Sequence, residues 1–207
     1  DVVITPEAKT KAVQKQFDTI AEKASQIQAS GMYGDEAMLA GAAELATYFT
    51  DAEAITTMMD TLSNYAVGMS GGGEVNSQQM IDYATNLGKI MTGAYDGMTK
   101  KGFEFSEAQK AIIEGTATEA QYAAVLGDQY EQMSDDMKAA AVITQVIDES
   151  WANLYQTMSN TPQGKIIALK NAFSDIKEEL IGAVIPAFMQ LMNTIQDNMP
   201  EIENIIM

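Results

Sequence analysis

The side chains in this sequence that could do chemistry are carboxylates. Adjacent acids occur at Asp35-Glu36, Asp135-Asp136, Asp148-Glu149 and Glu178-Glu179. A glycosidase needs two carboxyls facing one cleft at a defined separation. Sequence neighbours on a helix point about 100° apart and do not face each other. These pairs therefore read as solvated helix faces. None falls in an Asp-x-Asp-x-Asp-Gly loop, which argues against a calcium-binding EF-hand.

Other chemistries are struck off by composition. The twelve cations are all Lys, and the chain has no Arg, His or Cys. Without His or Cys there is no Ser-His-Asp or Cys-His machinery and no zinc or haem site of the usual kind. Without Arg there is no bidentate clamp for phosphate or carboxylate and no standard reader of guanine. Without Cys, disulfides are absent and the redox compartment is unrecorded. The net charge of −17 should repel nucleic acid and anionic membranes.

The remaining motifs are weak as chemistry. Gly68 to Glu74 precedes a helix, as phosphate loops do, but lacks a Gly-Lys-Ser/Thr ending and a preceding strand. Lys100-Lys101, the single cationic pair, reads as a solvated helix end. Trp151 and Tyr155 lie one turn apart on an apolar face, as core residues or a partner anchor. Met58, Met59, Met133, Met137, Met189 and Met192 also fall on apolar faces, as core filler or an adaptable sticky surface. No catalytic, cofactor-binding or metal-ligating residue is assigned.

The elements that must position these residues are helices, and no strand pattern of useful length appears. Thr5-Pro6-Glu7 gives an N-cap, a first-turn proline and an acid on the positive end of the dipole. Val13, Phe17, Ile20, Ala24 and Ile27 follow at helical spacing, up to a turn at Gly31-Met32-Tyr33-Gly34. Lys9, Lys11, Lys15 and Lys23 balance Asp1, Glu7, Asp18 and Glu22 there. Asp35 is the expected cap of a second helix, rich in Ala and carrying Gly41, which suits close packing inside a bundle. Thr50-Asp51-Ala52-Glu53 reads as a capping box for a third helix. Gly68 to Glu74, with three consecutive glycines at 71–73, is the clearest break, and Asn76-Ser77-Gln78-Gln79 restarts a helix.

Gly93, Gly97 and Gly102 fragment the stretch that follows. Ser106-Glu107-Ala108-Gln109 and Thr118-Glu119-Ala120-Gln121 are capping boxes whose helices must be short, since Gly115 and Gly127 stop them. Residues 128–159 predict longer helices, ended by the turn Asn160-Thr161-Pro162-Gln163-Gly164. Ile166, Leu169, Phe173, Ile176, Leu180, Val184, Phe188, Leu191 and Ile195 make a stripe close to a heptad seam, kinked at Pro186 and ended near Pro200. The predicted fold is all-α, a multi-helix bundle with short capped helices in the middle and long helices in the C-terminal part. Its segments are 1–67 (three helices), 68–75 (Gly-rich linker), 76–160 (central helices) and 161–207 (a long amphipathic helix).

No apolar stretch approaches the ~18 to 20 residues of a membrane span. The acidity is spread: 1–30 is neutral, while 31–98, 99–165 and 166–207 carry −8, −5 and −4. The chain opens on Asp1 and closes inside Ile205-Ile206-Met207, which reads as a domain cut from a longer protein.

Several stretches resemble one family. They are Gly34-Asp35-Glu36-Ala37-Met38-Leu39-Ala40-Gly41-Ala42-Ala43-Glu44-Leu45-Ala46-Thr47-Tyr48-Phe49, residues 59–66, 88–95 and 101–106, and Met158-Ser159-Asn160-Thr161-Pro162-Gln163-Gly164-Lys165-Ile166-Ile167. Asn171-Ala172-Phe173-Ser174-Asp175-Ile176-Lys177-Glu178-Glu179 and Ile185-Pro186-Ala187 continue the last of these. Together, over roughly 15–200, they resemble tail tape measure proteins of phages and prophages from Gram-positive gut bacteria. The resemblance implies a helical, non-enzymatic protein of the virion tail, made in the bacterial cytoplasm. It would occupy the tail tube lumen, set tube length and leave ahead of the DNA. Its partners would be tail tube and assembly proteins, with self-association through apolar helix faces, and neither nucleic acid nor membrane. Two other readings stand beside it: a peptidoglycan hydrolase module using Glu or Asp, and a helical protein-interaction module.

Overall fold

The computed structural model describes residues 6–172, with side chains from residue 14 onward and at Lys11. The fold is an all-α multi-helix bundle, and no strand occurs among the described residues. Contacts divide the chain into two units, Asp1–Ala168 and Leu169–Met207. Of the second, 169–172 are described, and they are helical.

Helix α1 (Pro6–Ser30) opens at Pro6, as its fixed φ predicts; Thr5 lies outside the described residues. Its stripe buries Ala24 and Ile27, while Phe17 is 57% exposed. Helix α2 (Asp35–Leu45) is capped by the extended backbone of Gly34 without a side-chain bond, so Asp35 sits in the first turn rather than at the cap. There it still meets the positive end of the dipole.

Helix α3 (Ala52–Ser70) departs from expectation at both ends. Asp51, not Thr50, caps it: the Asp51 carboxylate accepts from the Glu53 amide at 2.9 Å. At the other end the helix runs through Gly68 and stops at Ser70, with Gly71 and Gly72 at positive φ making the turn. The predicted start of the break at Gly68 is therefore three residues early. Across that turn α2 packs on α4 (Ser77–Gly88), at Gly41, where an added Cβ would press on Leu62 and Met80. A full capping box at Asn76 and Gln79 starts α4.

The short central helices follow: α5 (Asp96–Thr99) after a 3-10 turn, α6 (Glu107–Ile113) and α7 (Glu119–Leu126). The capping boxes at Ser106/Gln109 and Thr118/Gln121 both form, and Gly115 and Gly127 follow at positive φ. Residues 128–159 are less continuous than predicted. A 3-10 turn (Asp128–Gln132) precedes α8 (Asp135–Trp151), and α9 (Leu154–Ser159) follows a break in which Asn153 is left-handed, φ 57°.

Helices α3 and α8 run parallel in register. Ser134 meets Asp51, Thr144 meets Thr61 at 2.6 Å, and Trp151 meets Gly68. The core between the helices holds Met38, Met58, Met59, Leu62, Met80, Leu87 and Ile143, all fully buried. Helix resumes at 162. The stripe beyond Phe173, the kink at Pro186, the end at Pro200, and Met189, Met192 and Glu178-Glu179 lie outside the described residues.

Candidate functional site

The three acidic pairs among the described residues do not converge on a cleft. Asp135 pairs with Lys138 at 2.9 Å on the surface. Its neighbour Asp136 turns the other way and accepts from the Thr50 amide (2.6 Å), the Thr50 hydroxyl (2.9 Å) and the Asp51 amide (3.0 Å). Asp51 reciprocates by accepting from the Ser134 hydroxyl, which itself caps α8 through the Met137 amide. The starts of α3 and α8 are thus tied together by two carboxylates, a structural task that satisfies amides left over at helix starts. Asp35 and Glu36 lie in the first turn of α2.

Asp148 is more enclosed. Its Oδ1 is buried without a partner. Burial raises its pKa above the ordinary carboxylate value, against a lowering by the Asn64 side chain. Asn64 also accepts from the Tyr155 amide at 3.0 Å, so it spans the break between α8 and α9. Beyond that break the Tyr155 hydroxyl donates to the Ile27 carbonyl at 2.9 Å, and its ring packs 5.2 Å from Tyr33. Burial pushes the Tyr155 phenol up to about 12. Trp151 and Tyr155 therefore go to different places. Trp151 joins Tyr65 and Phe103, at 5.6 and 4.8 Å, while Tyr155 anchors the end of α1.

Met58 and Met59 are core filler; Met133 and Met137 are half-buried. Lys100 caps the end of α5, and the Lys101 ammonium donates to the Gly97 carbonyl. The Gly-rich turn closes α3, with Gly72 against Met158.

Sequence reasoning missed a further concave site. A cleft of about 490 Å3 lies between residues 93–99 and 104–110, lined among others by Tyr95, Asp96, Glu104, Phe105 and Lys110. The Tyr95 hydroxyl donates to Glu114 at 3.1 Å, which fixes the ring, and the Phe105 ring lies 5.3 Å away. The Lys110 ammonium sits 5.7 Å from the Tyr95 centroid and pairs with Glu107 at 2.8 Å. Burial, then the bond to and charge of Glu114, then the charge of Glu107 raise the Tyr95 phenol above its ordinary value. The glycine-broken stretch that forms one wall has no periodicity. Tyr95 and Phe105 carry no spacing signal that could have paired them.

Asp96 and Glu104 are both exposed, without the apolar enclosure that a general acid draws on. Among the described residues no group of three acids could hold a metal ion, and no helix is long and apolar enough to cross a membrane. Comparison with family models, curated proteins and solved structures found no match for this chain.

Proposed function

We propose that the chain is a structural, non-catalytic segment of a tail tape measure protein of a phage or prophage. What supports this reading is where the family-like motifs fall in the fold. They do structural work. In the motif at 158–167 the Thr161 hydroxyl accepts from the Gly164 amide at 3.0 Å and donates to the Met158 carbonyl. Pro162 then opens the next helix, and Gly164 lets that helix lie directly on the Met158 carbonyl. In the motif at 34–49, Gly41 admits Leu62 and Met80, while Met38, Leu45 and Phe49 enter the core.

In this role the segment lies in the virion tail, with tail tube and assembly proteins around it. The spread negative charge keeps it from holding the DNA that follows it. Phe17 and Ile166, exposed at 57% and 67%, are available for self-association. In-frame deletion of 31–160 tests the ruler function by electron microscopy of tails. Shortening by about 200 Å corresponds to one continuous helix; less corresponds to a retained bundle. Unchanged length rejects the ruler role for this segment. A second reading, a helical interaction module, has one observation in its favour, the cleft beside Tyr95.

A further inference from the structure

The cleft joins aromatic faces to an excess of negative charge. Phe105 is buried and Tyr95 half-buried, with their rings tilted by 49°. Asp96 and Glu104 line the cleft. Glu114 holds the Tyr95 hydroxyl and would lie 3.8 Å from a Cβ on Gly93, another lining residue. Glu107 stands behind Lys110. In the lining itself two carboxylates, Asp96 and Glu104, stand against one ammonium, that of Lys110, which is already paired with Glu107 and seated over the Tyr95 ring. The site therefore carries a cation of its own, supplied from α6. Aromatic faces attract cations through the ring quadrupole, and neighbouring carboxylates strengthen that field.

We propose that this cleft binds a cationic side chain, a lysine or arginine of an extended basic segment on a partner protein. The charge would be placed over Tyr95 and Phe105 and paired by Asp96 and Glu104. The net charge of −17 draws such a partner in. An anionic ligand fits poorly, because it would meet Asp96 and Glu104 in the lining and have there only Lys110, which is already paired with Glu107. A cationic ligand competes with Lys110, and this difference gives the test its sign.

The test uses the 207-residue chain, with blocked lysine (Nα-acetyl-lysine amide) and blocked tetralysine as probes. Binding is read from the NMR shifts of the Tyr95 and Phe105 rings. Saturable, salt-sensitive binding is expected. Lys110→Met should tighten it about threefold, the order of one exposed cation–π contact. The double variant Asp96→Asn with Glu104→Gln alters only exposed residues and should weaken binding at least about threefold. Asp82→Asn, an exposed acid on α4, should leave it unchanged. Weaker or unchanged binding in Lys110→Met overturns the proposal, as does an equal loss in the Asp82 control. Tighter binding of inorganic phosphate or of a chitin oligosaccharide than of tetralysine also overturns it, in favour of an anion or glycan site.

Discussion

Trp151 packs its indole onto the bare backbone of Gly68: a Cβ on that glycine would lie 2.5 Å from Cδ2 and Cε3 of the ring. The pair closes a register in which α3 and α8 meet at a constant offset of 83 residues, as at Asp51–Ser134 and Thr61–Thr144. Glycine inside a helix costs about 1 kcal/mol relative to alanine. Here the cost is offset by the indole, which also packs on Tyr65 and Phe103. Gly68→Ala should therefore destabilise by about 1–3 kcal/mol, the range for overpacking, despite its gain in helix propensity. Gly97→Ala, with nothing within 4 Å of the added Cβ, should be neutral or stabilising. Urea unfolding followed by circular dichroism compares the two.

The neighbours Asp135 and Asp136 should behave differently. Asp136 satisfies two backbone amides and a hydroxyl ahead of α3, so Asp136→Ala should cost about 1–2 kcal/mol, the upper range for a helix cap. Asp135 makes one exposed ion pair, and Asp135→Ala should cost about 0.5 kcal/mol or less. Chemical denaturation of both variants in one buffer checks the contrast. Equal losses would refute the tie between the starts of α3 and α8.

The legible parts of this fold are those set within a few residues. The boxes at Ser106/Gln109 and Thr118/Gln121 need only their own four residues, and both form. Stops at Gly115 and Gly127 follow from backbone freedom alone. What sequence reading placed wrongly depends on a distant partner. Thr50 looks like the cap of α3 until Asp136 takes its amide and hydroxyl, leaving Asp51 to cap. Gly68 looks like the start of a break until Trp151 fills the space beside it. The break at Asn153 is held by Asn64 through the Tyr155 amide, 91 residues away. The cleft escaped notice for the same reason, since its rings come from two short segments with no shared period.

Asp148 should make stability depend on pH. Burial lifts its folded pKa above the ordinary value of 3.8. Between 3.8 and that raised value the folded chain holds a proton that the unfolded chain has lost. Stability contributed by this group therefore falls as pH rises through the window. Asp148→Asn lacks the titration. The stability of the parent relative to this variant should increase as pH is lowered from neutral toward 4, measured by urea midpoints at each pH.

Tyr155 contributes to the loss of stability at alkaline pH. Its phenol moves from 10.0 to about 12 on folding, through burial. Between those values the unfolded chain loses the proton first, so unfolding is favoured and stability falls as pH rises. Tyr155→Phe should remove this part of the alkaline slope. At neutral pH it should cost about 1–2 kcal/mol, because the Ile27 carbonyl loses its donor. Thermal unfolding at pH 8 and pH 11 reads both effects.

Gly164 gives the most direct test of how the motif at 158–167 works. An added Cβ would collide with the Met158 carbonyl oxygen and the Ser159 backbone. These are main-chain atoms at the end of α9, held by the Thr161 hydroxyl and amide bonding back to Met158. No side-chain rotation can relieve such a clash, so the next helix must shift or unwind its first turn. Gly164→Ala should cost more than about 2 kcal/mol, beyond ordinary overpacking at a flexible neighbour. Limited proteolysis should then cut near residues 160–165 faster than in the parent chain. Pro162→Ala, which keeps the space and loses only a preset φ, should cost about 1 kcal/mol or less. If Gly164→Ala is as stable as the parent and equally resistant to protease, the motif is not the structural junction described here.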